Sequence, residues 1–238
     1  MHQGESALRK LGLIGGMSWV STRSYYEDIN TIVQRRTDTK SSAPMVIESL
    51  DFKPLYRLSG RQEWERAAVE LSAAARRLEA AGAGALVIAA NSMHCVYDRV
   101  VEAVSIPIIH IADAVAAKMK AAGVDRAALI GTRNVMLEDF YRRRLIAQDI
   151  ELLPPAMDLV EQLDEIIYDE LMRGKVKRDS ERFMKTAITN LAKQGAEAVV
   201  LACTELELIV DTDANVLPIF DGGHIHAAAA ANWILGED

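Results

Sequence analysis

Short runs of apolar residues alternate along the chain with longer segments whose apolar positions recur every three or four residues. That alternation predicts parallel strands joined by crossover helices, an α/β fold. The apolar runs place strands at Leu11–Ile14, Met45–Ser49, Ala85–Ala89, Pro107–His110, Ala127–Ile130, Ile150–Leu153, Ala198–Ala202 and Leu217–Phe220. These runs are apolar throughout rather than at every second position, so both faces of the sheets are expected to be covered. Helical segments include Thr22–Arg36, Arg61–Ala81, Leu137–Ala147, Val160–Arg173 and Ser180–Gln194, with Gly82, Gly174 and Gly195 placed to end three of them.

The second half of the pattern repeats the first. Gly12-Leu13-Ile14-Gly15 returns as Ala128-Leu129-Ile130-Gly131, at an offset of 116. Gly82–Ala90 returns as Gly195–Cys203 at an offset of 113, and Ile106–His110 as Leu217–Asp221 at 111. Three blocks in one order with little drift point to two similar α/β lobes, and two such lobes create a cleft. Ligands of open parallel sheets bind beyond the carboxyl ends of the strands, so the loops after Ile14, Ala89, Ile130 and Ala202 are the ones to inspect.

Composition narrows the function classes. Of 238 residues, 27 are basic and 34 acidic, a formal net charge of −7 that argues against a nucleic-acid partner. Half the residues are hydrophobic and 26% are charged, which fits a globular protein rather than a disordered one. Two cysteines, Cys95 and Cys203, are too few for a disulfide scaffold and point to a reducing, cytoplasmic compartment. The first ten residues lack the apolar stretch of a signal peptide, and no apolar run reaches the roughly 18 residues of a membrane span.

Candidate chemistry gathers at the strand ends. Cys203 directly follows a strand and precedes an expected helix start, where N–H groups and the dipole favour a thiolate; the alternative is a small buried hydrophobe. In the repeat its counterpart is Ala90. Asn91 and Ser92 are able to cap the next helix and to hold a carboxylate, or to cap only. His94 is a possible acid or base, although a lone histidine is more often just hydrogen-bonded; Cys95 reads as packing. Gly15-Gly16 lies in a strand-to-helix turn where a ligand could approach the backbone, but its spacing is not a dinucleotide fingerprint. Asp221-Gly222-Gly223-His224-Ile225-His226 offers a catalytic acid or part of a metal site. His224 and His226 would point to different faces of a helix, and no third or fourth ligand follows at a recognisable spacing, so no metal ligand is assigned. The acidic stretch Glu161–Glu170 reads as a solvated helix face.

Taken together, Gly15-Gly16-Met17-Ser18-Trp19, Asn91-Ser92-Met93-His94, Gly131-Thr132-Arg133 and Cys203-Thr204-Glu205 resemble the aspartate/glutamate racemase family over nearly the whole chain, and within it the bacterial broad-specificity and acidic amino-acid branch. The resemblance implies two pseudo-symmetric lobes with the active site in the cleft, no pyridoxal phosphate, no other cofactor and no metal, an amino-acid substrate, and a homodimer. It implies lobes of residues 1–104 plus 213–238 and 105–212. It places Cys203 as the thiol acid/base and Asn91, Ser92 and Thr204 on the substrate carboxylate. Met17 and Ser18 would line the pocket, Thr132 and Arg133 would hold the distal group, and His94 or Glu205 would tune protonation. Many relatives carry a first cysteine, and some a threonine, where this chain has Ala90, which neither donates nor accepts a proton. That departure leaves two alternatives beside a racemase: a single-cysteine decarboxylase of malonate-like acids, and a relative that binds an amino acid without turning it over.

Overall fold

The computed structural model describes residues 8–237. Among these residues, eight strands form two four-stranded parallel sheets. The first holds β1 (Leu11–Gly15), β2 (Met45–Ser49), β3 (Ala85–Ile88) and β4 (Ile108–Ile109) in the order β2-β1-β3-β4. The second holds β5 (Arg126–Gly131), β6 (Glu151–Leu152), β7 (Ala198–Ala202) and β8 (Ile219–Asp221) in the order β6-β5-β7-β8. The two orders are the same, so the sequence repeat is a repeat of topology: β1, β3 and β4 correspond to β5, β7 and β8. Every apolar run expected as a strand contains one: β2 and β7 have the expected ends, and the others differ by one or two residues.

Alternate residues of the central strands feed two cores, which is why those strands are apolar throughout. In the second sheet Ala128, Ile130, Val199 and Leu201 pack on one face with Leu163 and Ile188. Ala127, Leu129, Ala198 and Val200 pack on the other with Val115, Met119 and Leu145. In the first sheet Leu11, Leu13 and Val87 meet Tyr25, Ile29 and Ala227. Each fully buried side chain of this size stabilises the fold by roughly 1.5–3 kcal/mol relative to exposure.

The helices are α1 (Trp19–Arg36), α2 (Arg61–Ala80), α3 (Tyr97–Val101), α4 (Ile111–Ala121), α5 (Arg133–Leu137), α6 (Asp139–Ile146), α7 (Met157–Glu165), α8 (Arg178–Lys193) and α9 (Gly222–Leu235). Two expected segments are interrupted. The one helix expected over Leu137–Ala147 is α5 and α6, separated by Glu138 in extended backbone. The one expected over Val160–Arg173 begins at Met157 and passes from α through a π turn to a 3-10 turn before Gly174 ends it. Gly82, Gly174 and Gly195 all take the left-handed φ that stops a helix. No helix among the described residues is long and apolar enough to cross a membrane.

The chain divides into two compact units. One comprises residues up to Ala89, Val96–His110 and the chain from His226; the other comprises Ala90–Cys95 and Ile111–Ile225. This corrects the boundary at residue 213. Phe220 and Asp221 of β8 pair with Val200 and Leu201 of β7, which keeps this stretch in the second unit, and the return to the first falls at His226.

A buried polar pin marks that return. His226 Nε2 lies 2.9 Å from the Ile109 carbonyl and Nδ1 2.8 Å from the Tyr25 hydroxyl. A carbonyl only accepts, so Nε2 carries the proton and Tyr25 donates to Nδ1. Burial lowers this histidine from its ordinary 6.5 to about 4. Above pH 6.5 both folded and unfolded states hold it neutral; below, the unfolded chain takes up a proton that the folded chain excludes. Stability is therefore expected to fall by about 1.4 kcal/mol per pH unit as pH drops from 6.5 toward 4. Urea unfolding at pH 7 and pH 5 should differ by about 2 kcal/mol from this group, and His226→Gln should remove that part of the slope.

Candidate active site

The second unit carries the chemistry that the sequence singles out. β7 is buried along its whole length and delivers Cys203 at its carboxyl end. Cys203 is only 6% exposed, and its side chain belongs to the core of that lobe. It is nevertheless not inert packing, because Sγ donates a hydrogen bond of 3.2 Å to Glu205 Oε2. The Thr204 hydroxyl donates to the same oxygen at 3.0 Å. Glu205 is itself buried, so two donors from adjacent residues satisfy a carboxylate that water scarcely reaches.

This arrangement corrects the expectation of a thiolate. Cys203 leads into a five-residue 3-10 turn, Thr204–Leu208, rather than an α-helix, and that turn supplies little dipole. Burial pushes the Cys203 thiol well above its ordinary value, and the Glu205 carboxylate beside it pushes in the same direction. The resting sulfur holds its proton.

The segment after β3 lies in the same unit. Asn91 and Ser92 do not cap a long helix; they open a 3-10 turn, Ser92–Val96, followed by the short α3. Asn91 is buried, and its Oδ1 has no hydrogen-bond partner. Ser92 is half-buried. His94 Nδ1 lies 2.9 Å from the Ala90 carbonyl and must donate to it, and Nε2 accepts from the Ile111 N–H at 3.3 Å. Both ring nitrogens are thus committed to the main chain. His94 fixes the loop that carries Ala90 and Asn91, which corrects its candidacy as acid or base. Cys95 packs half-buried against the second lobe's core, as expected.

The residue at which β8 becomes α9 ties these pieces together. A Cβ built on Gly222 would stand 2.9 Å from the Leu201 carbonyl, 3.3 Å from the Tyr141 hydroxyl and 3.5 Å from Asn91 Oδ1. Any side chain at 222 would have to displace β7 backbone. Tyr141, Asn91 and the preceding Asp221 each keep a buried oxygen without a partner: the hydroxyl, Oδ1 and Oδ2. Burial and the Asp221 carboxylate hold the Tyr141 phenol protonated far above its usual range. A knot of unsatisfied polar atoms therefore sits at the carboxyl edge of the second sheet, where open parallel sheets bind ligands.

A profile of the Asp/Glu/hydantoin racemase family matches residues 14–230. The chain belongs to that family. It is 21% identical over 230 residues to the broad specificity amino-acid racemase RacX of Bacillus subtilis (strain 168), covering 94% of this chain and 98% of RacX. Among solved structures, a chain from Yersinia pestis described as a candidate Asp/Glu racemase is 39% identical with a TM-score of 0.89, covering 96% of this chain and 100% of that one. An aspartate racemase homologue from Pyrococcus horikoshii OT3 is 31% identical with a TM-score of 0.81, over 95% and 99% of the two chains. The two-lobed α/β fold is that of this racemase family.

Other residues named from the family resemblance are less directly placed. Met17 is buried in the β1–α1 turn of the first unit, and Ser18 caps α1 by accepting from the Ser21 N–H. The glycines of that turn serve the chain rather than a ligand: a Cβ on Gly15 would meet Thr22 at 2.6 Å, and one on Gly16 the Leu50 carbonyl oxygen at 2.1 Å. The Gly16 N–H is already bonded to Thr22 Oγ1. In the second unit Thr132 is buried with Oγ1 unpartnered. Arg133 turns toward α7, its backbone N–H on Asp164 and its guanidinium 3.7 Å from Glu161. Part of the acidic stretch of α7 therefore faces Arg133, whose Nη1 is buried without a hydrogen-bond partner. Sequence reasoning missed Tyr141, which reads as one more apolar position of an amphipathic helix, and its hydroxyl only acquires meaning beside Gly222.

Proposed function

We propose that the chain is a cofactor-independent amino-acid racemase in which Cys203 moves the α-proton. The observation that carries this reading is the Sγ–H···Oε2 bond from Cys203 to Glu205 at the end of β7. A protonated thiol is ready to deliver a proton to a carbanion. To remove one, its own proton must leave first, and Glu205 Oε2 is the acceptor in reach. The S–H bond breaks, an O–H bond forms, and the negative charge passes from the carboxylate to sulfur, so no new charge is created in a buried place. The thiolate then takes the α-proton of the amino acid. Asn91 and Ser92 would hold the substrate carboxylate, joined by Thr204 once its hydroxyl proton turns from Glu205 Oε2, and the unpartnered Asn91 Oδ1 would accept from a substrate N–H. Thr132 and Arg133, in the same unit, would hold the distal group of the substrate.

Inversion needs a second proton carrier on the opposite face, and Ala90 supplies none. Return of the proton from Cys203 restores the starting enantiomer, so exchange with solvent outruns racemisation. The test is incubation in D₂O with a panel of L- and D-amino acids, reading α-deuterium and chirality separately. Uptake of α-deuterium with little loss of chirality is expected; absence of α-deuterium from every member of the panel would sink the reading.

A second reading is favoured by the same neutral thiol: decarboxylation of a malonate-like acid, where one proton donor suffices once carbon dioxide has left. Arylmalonates in parallel incubations separate the two. Ligand-induced stabilisation without either reaction would mark a relative that only binds.

Glu205 is a positioning residue here, acting through the sulfur. Glu205→Gln is expected to lower the pH at which the Cys203 thiolate appears, because the carboxylate is one of the two main causes that raise it. Ultraviolet titration of thiolate in a Cys95→Ser background reads this directly, and an unchanged midpoint would separate Glu205 from the sulfur's chemistry.

A further inference from the structure

Apart from the thiol chemistry described above, three potential ligands converge at the carboxyl edge of the second sheet. Glu207 comes from the 3-10 turn after β7, Asp221 from the end of β8, and His224 from the first turn of α9. One ligand atom from each lies within 4.8 Å of the other two. No spacing along the chain announces this set, because Glu207 is fourteen residues from Asp221 and on a different element.

A second observation points to a cation. Asp221 is 8% exposed, and its two oxygens are unequally provided for: Oδ1 accepts from the His224 N–H at 3.1 Å, whereas Oδ2 is buried without a partner. A buried carboxylate oxygen left in that state carries a desolvation cost that a bound cation removes. Burial is the main reason the Asp221 carboxyl is pushed above its ordinary value.

From this geometry we infer that Glu207, Asp221 and His224 form a binding site for a divalent transition-metal ion of the zinc class. The donor set, one imidazole nitrogen and two carboxylates, suits Zn²⁺ and its neighbours better than Mg²⁺ or Ca²⁺, which want oxygen alone. His224 Nε2 and Glu207 Oε2 stand 3.4 Å apart. Two ligands about 2.1 Å from a tetrahedral ion are separated by about 3.4 Å, so this pair already has the bite of a tetrahedral edge. Asp221 supplies the third ligand atom, within 4.8 Å of the other two. The His224 side chain is 51% exposed and that of Glu207 30%, which gives an ion a route from solvent and leaves the fourth position to water. The bound ion would join the turn that follows Cys203 to the start of α9.

The test is calorimetric titration of Zn²⁺ into the full chain after removal of adventitious metal, with Co²⁺ absorption as a reporter of tetrahedral geometry. One equivalent is expected to bind, with affinity reduced at least tenfold in His224→Ala and in Glu207→Gln. Both residues reach solvent, so these variants keep the fold; Asp221→Asn is the third arm, with thermal unfolding as its control. Binding should persist in Cys95→Ser/Cys203→Ser, which removes the thiols as competing ligands. No saturable binding, binding indifferent to His224→Ala, or binding lost only with the cysteines would each overturn the site and leave His224 and Glu207 as an ion pair only. None of these outcomes depends on turnover, so failure here is distinct from failure of the racemase reading.

Discussion

Cys203→Ala is expected to abolish α-deuterium exchange, with a loss of at least a thousandfold against the unaltered chain. A positioned acid or base contributes typically 10²–10⁴ to a proton transfer, about 3–5 kcal/mol of barrier. This sulfur would serve both abstraction and return on its face, so nothing nearby takes its place. His94, the other acid or base that the sequence offers, has Nδ1 on the Ala90 carbonyl and Nε2 on the Ile111 N–H. Cys203→Ser should behave almost as badly: a hydroxyl is a far weaker acid than a thiol, and burial beside Glu205 penalises its anion further. Removing one buried sulfur costs on the order of 1–2 kcal/mol of stability, so both variants should remain folded by circular dichroism. Exchange surviving within tenfold in both would show that another group carries the proton.

The fold was legible because parallel strands buried on both faces must be apolar along their length, and the two halves of the chain use the same order of strands. What sequence could not resolve depends on groups that meet only in three dimensions. The 213 boundary fails because β8 is held by its pairing with β7, and pairing is invisible in a single strand's composition. The Gly15-Gly16 turn looks like a ligand cradle in one dimension; the chain passing at Leu50 is what claims the space. Cys203 is marked in the sequence by its position after a strand, but its protonation comes first from burial and then from a carboxylate folding back from two residues on. The metal-class triad escaped because its third member, Glu207, lies on another element.

Ala90→Cys is expected to raise the rate of enantiomer interconversion by about 10²–10⁴, the range a placed proton carrier supplies. The backbone at residue 90 is held by the bond between its carbonyl and His94, so a new side chain there inherits a fixed origin rather than a mobile loop. Ala90 is 8% exposed, and a thiol is a small addition; Ala90→Thr offers a second group of similar reach, with a hydroxyl in place of sulfur. The informative quantity is the ratio of racemisation to α-deuterium exchange, not either rate alone. With Cys203 acting by itself the ratio stays far below one, because each abstracted proton is replaced from the side it left. A carrier on the other face raises racemisation steeply and exchange only modestly, so the ratio should climb toward one in Ala90→Cys and rise partway in Ala90→Thr. If both variants fold and neither moves the ratio, residue 90 does not face the α-carbon, and the one-sided chemistry assigned to this chain must have another cause.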